Sequence, residues 1–161
     1  MVQLRLMVLA LCAACARGEA APGSASGIAP PAGWRAAPEL AKAASDAAGS
    51  ATTASEAWAE PARGCYAVWL ALHGAPAAID AASDQLVASV QRIGAQPSAV
   101  VKPQPGDRGE LSLAFVRAPY RGKLRALLAK TGDVSALACL WNEREPKACE
   151  TACSSLLGGL H

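Results

Sequence analysis

Cys149 and Cys153 stand four residues apart in "PKACETACSSLLGG", which has helical spacing. Cys65 opens "CYAVWLALH" and Cys139 lies in "VSALACLW", both of which alternate like strands. On a helix, positions i and i+4 share a face, so a bridge between Cys149 and Cys153 would constrain almost nothing. A disulfide framework in this chain is therefore expected to join the helix to the sheet, with a metal site or free thiols as the alternatives. The helix stripe Cys149, Ala152, Cys153, Leu156 runs i, i+3, i+4, i+7 and puts both cysteines on the buried side. Four cysteines allow three connectivities; with the start of the first strand near the end of the fourth, the pairing expected is Cys65 with Cys149 and Cys139 with Cys153. The competing use of cysteines, a metal site, has little to draw on. Only His73 and His161 could supply imidazole, and no C-x-x-C pair occurs in the sequence.

The region from Cys65 to His161 reads as one α+β domain. "CYAVWLALH" is a short apolar strand. "PAAIDAASDQLVASVQRI" carries Ile79, Ala82, Leu86, Val90 and Ile93 at helical spacing and stops at Gly94. "SAVVK" and "ELSLAFVR" are strands separated by the turn chemistry of "PQPGDRG". "PYRGKLRALLAKTG" starts at Pro119, stops at Gly132 and places Leu124, Leu127 and Leu128 on one side, which predicts a second helix. "VSALACLW" is a fourth strand and 146–158 a last helix. The resulting order, βαββαβ with a helix after it, is that of a ferredoxin-like sandwich. The first and fourth strands would be antiparallel neighbours, with the first and third central. The second sheet face would show Trp69, Leu137 and Trp141, a patch too large to stay wet. The C-terminal helix is expected to cover it.

The opening residues point to export. Arg5 precedes an apolar run from Leu6 to Ala14, shorter than the roughly 20 residues that span a bilayer and fitting the core of a secretory signal. Ala14-Cys15-Ala16 offers a small-x-small cleavage site. Cys12-Ala13-Ala14-Cys15 resembles the bacterial lipoprotein signal, in which a Cys after two small residues becomes the lipid-bearing first residue; Cys12 stands where that family prefers Leu. The resemblance covers the signal alone. It implies a signal peptide over 1–14, lipid on Cys15 and an envelope location. A secreted or periplasmic soluble protein is the alternative. Residues 15–64 are rich in Ala, Pro and Ser and read as a linker, largely disordered or marginally helical, since Leu40 and Trp58 are almost alone as large apolar residues in its Ala-rich part.

Chemistry is sparse in the sequence. The formal charge of +2 is not a nucleic-acid-binding balance. No phosphate loop, dinucleotide fingerprint, zinc-protease motif or nucleophile elbow occurs. No cofactor, metal or catalytic residue is therefore assigned. His73 reads as a surface or capping residue, and Asp80 and Asp84 as a solvated helix face. Arg117, Arg121, Lys123 and Arg125 cluster around the predicted second helix and are candidate anion-binding residues, set against an ordinary charged helix face. The function expected is non-enzymatic: an envelope lipoprotein joined to the membrane by its lipid, whose domain binds an envelope protein or an anionic envelope component. The alternatives are a small secreted enzyme or thiol-redox protein using His73 or the cysteines, and a carrier holding a small ligand between Trp69, Trp141 and the last helix.

Overall fold

In a computed structural model the chain is described over residues 24–76, 78–104, 106–143 and 146–161. The segment read as a signal peptide, the expected lipid site Cys15 and the start of the expected linker lie outside these residues. The described residues form one antiparallel sheet of seven strands with helices on both faces. In chain order these are β1 (Arg35–Ala36), α1 (Pro38–Ala48), β2 (Thr52–Glu60), β3 (Cys65–Leu72), α2 (Ile79–Arg92), β4 (Gln96–Val101), β5 (Arg108–Arg117), β6 (Tyr120–Ala129), β7 (Val134–Asn142) and α3 (Pro146–Gly158). Across the sheet the order is β1-β2-β3-β7-β6-β5-β4.

The expected neighbours β3 and β7 are indeed antiparallel, with Cys65 opposite Trp141 and Ala67 opposite Cys139. The ferredoxin-like order, however, does not describe the chain. The stretch expected to be its second helix is β6, paired on one side with β5 and on the other with β7. Arg117 pairs with Tyr120, so Ala118 and Pro119 are the whole connection and leave no room for a helix start. Gly122, Leu124, Ala126 and Leu128 point to one side of β6, while Arg121, Lys123, Arg125 and Leu127 point to the other. That period of two fits a strand with one face buried. A Cβ at Gly122 would collide with the Phe115 ring and the Cys139 carbonyl, so the close strand approach there requires glycine. With β6 inserted, β3 is separated from β5 by two strands instead of lying beside it.

The boundary at residue 64 also moves. Residues 52–60, expected to be linker, are a full strand paired along the length of β3. Pro61–Arg63 and Gly64, in a left-handed conformation at φ 65°, make the turn between them. Alanine favours helices in isolation, but here Ala57 and Ala59 are buried under α1 and Trp58 is buried on the opposite face. Packing context overrides that propensity. Another part of the stretch read as linker is α1, a helix whose Ala41 packs on Ala57 and Val68.

The core divides by sheet face. On one face α2 lies on Leu111, Leu113, Phe115, Ala126 and Leu128, with α1 beside it over β2 and β3. On the other, α3 and residues 28–34 cover Trp58, Trp69, Leu137, Cys139 and Trp141. The C-terminal helix thus covers the second face, where the Trp patch required it. It covers only part of that face. Among the described residues no helix lies on this side of β4 and β5.

Candidate functional site: the helix–sheet seam

The chain leaves β7 at Asn142 and folds back, so α3 runs over the strand it has just left. Its first turn therefore meets the end of β7 and the start of β3, and its later turns meet positions deeper in β7. Cys149 accordingly meets Cys65. The two form a disulfide with a Cα–Cα distance of 5.6 Å and a sequence separation of 84; that distance lies within the range such bridges require. The first expected pairing is thus present.

The second expected pairing is present as proximity without a bond. Cys139 and Cys153 are free thiols, both fully buried. The neighbouring Cys153 thiol and burial push the Cys139 pKa strongly upward, against a smaller pull downward from Lys123. Cys139 is therefore held protonated. Nucleophilic sulfur chemistry needs a thiolate and access, so the folded protein presents neither thiol as a reactive group.

The four cationic residues are partly brought together. Arg121, Lys123 and Arg125 share one side of β6, because a strand sends alternate residues to the same face. Arg117 sits exposed on β5 at the turn of the hairpin, paired with Tyr120, so it faces the other side of the sheet. Each of the three has a carboxylate partner. Arg121 Nε donates to Glu143 Oε1 at 2.6 Å and Lys123 Nζ to Glu150 Oε1 at 2.8 Å. Arg125 donates to both oxygens of Glu110, at 2.8 and 2.9 Å, and through Nη1 to the carbonyls of Leu157 at 2.7 Å and Leu160 at 3.0 Å. The hydrogen bond from Lys123 and that cation's charge lower the Glu150 pKa, and Arg125 does the same to Glu110. The row read as an anion site is therefore largely a second seam. It runs beside α3 from the loop before the helix to its C-terminal end, where a cation also suits the helix dipole.

A third fastening was not legible as a site. The carboxylate of Glu56 on β2 accepts hydrogen bonds from the hydroxyls of Ser24 and Ser26 and the backbone N–H of Ala25. Burial raises its pKa, but these bonds, led by Ser26, outweigh it and hold the group below the ordinary value. They dock residues 24–28 and bring Ile28 and Trp34 onto the tryptophan cluster. Only the serines of "GSASG" hinted at this in sequence, and serines there read equally well as spacer.

The remaining candidates have modest surroundings. His73 Nδ1 lies 2.7 Å from Asp133 Oδ1, and Thr131 donates to the other oxygen at 2.6 Å. The His73 and Asp133 side chains are more than half exposed. Asp84 pairs with Lys102, while Asp80 sits in the first turn of α2. The face proposed for a carried ligand is filled by Cys149, Cys153, Leu156, Leu160, Ile28 and Trp34, with Trp69 and Trp141 buried beneath them. Trp69 Nε1 donates to Ser135 Oγ at 2.9 Å. Among the described residues no helix is long and apolar enough to cross a membrane, and no cluster of His, Cys, Asp and Glu is arranged to hold a metal ion. Compared with known protein families and with curated proteins, the chain matches none.

Proposed function

We propose that the protein is an exported cell-envelope lipoprotein, anchored through lipid on Cys15, whose disulfide-fastened domain is a non-enzymatic binding module for another envelope protein. The observation that carries the reading is the buried Cys65–Cys149 bridge, because structural disulfides belong to oxidising compartments. The signal-like opening and its lipoprotein-type Cys15 point the same way. The folded body begins by Ser24, whose hydroxyl already bonds to Glu56, so a lipid at Cys15 would hold the domain close to the membrane surface.

A protein partner is favoured over an anionic polymer. Arg121, Lys123 and Arg125 are matched by Glu143, Glu150 and Glu110, which leaves little unbalanced positive charge on that side of the sheet. The same side of β4 and β5 carries the exposed Val101 and Val116 together with Ser112 and Ala114, a surface more suited to apolar contact than to a polyanion.

Cell fractionation tests the anchor. The wild-type chain should sediment with membranes and resist salt extraction, and Cys15→Ala should release it. A wild-type chain found wholly in the soluble fraction, with a free amino terminus after Ala16, would remove the lipoprotein reading.

A further inference from the structure

We infer that Cys139 and Cys153 are the two halves of a second helix-to-sheet disulfide, closed during folding. Cys65 lies opposite Trp141, and Cys139 is two residues along β7 from Trp141 on the same face. Two strand residues span about 7 Å, and neighbouring strands are about 4.8 Å apart. On α3, Cys149 and Cys153 are separated by one turn, about 6 Å along the axis. The helix runs back over β7, so fixing Cys149 on Cys65 carries Cys153 toward Cys139. Cys139 and Cys153 lie with Cys65 and Cys149 in one buried cluster between the sheet and the helix. Ala67, opposite Cys139 and fully buried, keeps the space between strand and helix small.

Bond formation is a two-electron oxidation by an external disulfide such as oxidised glutathione. One protein thiolate attacks the external disulfide and releases one glutathione thiol. The second protein thiolate then displaces the other glutathione, leaving one new S–S bond, two reduced glutathiones and no net change in protons. In the packed protein both sulfurs are inaccessible, so exchange must take place before α3 seats or during its local opening. Once closed, the bond is shielded from reductants by the burial that now protects the thiols. The inference stands on the helix–sheet spacing and does not depend on the lipid anchor.

The test uses the full chain with Cys12→Ser and Cys15→Ser, so that only the four domain cysteines remain. The reduced, unfolded protein is refolded in a glutathione redox buffer, quenched in acid, denatured and alkylated, and its peptides are mapped without reduction. The expected result is no alkylated cysteine and two linked peptide pairs, Cys65 with Cys149 and Cys139 with Cys153. Cys65 joined to Cys149 with Cys139 and Cys153 both alkylated at equilibrium would overturn the inference, as would any other pairing. A Cys65→Ala/Cys149→Ala variant treated in the same way should still yield the Cys139–Cys153 pair. Recovery of both thiols alkylated from a folded variant, with helix content retained by circular dichroism, would count against it independently.

Discussion

The guanidinium of Arg125 donates to the carbonyl oxygen of Leu157 at 2.7 Å, and so fastens the C-terminal end of α3 to a strand two places from β3. The disulfide at Cys149 holds the other end. Arg125→Met keeps much of the apolar stem but removes the bonds to Leu157, Leu160 and Glu110. It should lower unfolding stability by ~1–3 kcal/mol, with faster amide exchange in residues 154–161 while β3 and β7 keep their protection. Arg125→Lys should recover only part of the loss, because an ammonium lacks the planar fork. A stability change within about 0.3 kcal/mol of wild type would show that the last turn needs no such fastening. By contrast Arg121→Ala should be nearly silent, since its pair with Glu143 is exposed.

Acid should loosen the N-terminal strap. The Glu56 pKa is lower in the folded protein than its ordinary value. Its stabilising effect is therefore complete above the unfolded-state value and is lost as pH falls through the depressed folded one. Hydrogen exchange of residues 24–34 should accelerate on acidification through that window, before the strands of the sheet respond. At neutral pH, Glu56→Gln should reproduce the acid behaviour and abolish the pH dependence. Protection in 24–34 that is unchanged by both would mean that Ile28 and Trp34 hold the strap without the carboxylate.

Gly122→Ala should cost ~1–3 kcal/mol, as overpacking in a close-packed core does, because the added methyl meets the Phe115 ring and the backbone carbonyl of Cys139. Pairing it with Phe115→Leu should restore part of the loss by relieving one of the two collisions. Chemical denaturation of the two variants measures this, and equal destabilisation in both would place the strain at the carbonyl alone.

Ser83 is fully buried on α2, and its hydroxyl has no hydrogen-bond partner among the described residues. Ser83→Ala should leave stability unchanged or raise it by up to about 1 kcal/mol, since the hydroxyl is desolvated without compensation and alanine is the better helix former. A clear loss in thermal denaturation would reveal a partner for that hydroxyl.

Much of the fold was legible because its signals were local. The alternation in 65–72 and 134–142, the helical spacing of 79–92 and the buried stripe of 146–158 each identify one element unambiguously. The cysteine pairing at 65 and 149 followed from those elements, since only one strand start lies under the first turn of a returning helix. Strand β6 was not legible because Leu124, Leu127 and Leu128 satisfy a period of 3.6, whereas in the strand Leu127 faces away from Leu124 and Leu128 onto the second buried face, and Pro119 and Gly132 look like helix punctuation. Its true character depends on neighbours that are distant in sequence. Strand β2 was hidden for a related reason: alanine carries almost no strand signal of its own, and Ala57 is strand-forming only because β3 and α1 bury it. Arg121, Lys123 and Arg125 share a strand face while Arg117 does not, and the carboxylates Glu110, Glu143 and Glu150 come from three separate segments that only the fold assembles.

Both the export reading and the seating of α3 rest on the bridge between Cys65 and Cys149. The direct measurement is non-reducing peptide mapping of the protein isolated from its native cells, with thiols trapped by acid and alkylation at lysis and no oxidant added. The expected result is a peptide carrying Cys65 joined to one carrying Cys149, and a loss of about 2–4 kcal/mol in unfolding stability when that bond is reduced. Recovery of Cys65 and Cys149 both alkylated, from folded protein, would contradict it.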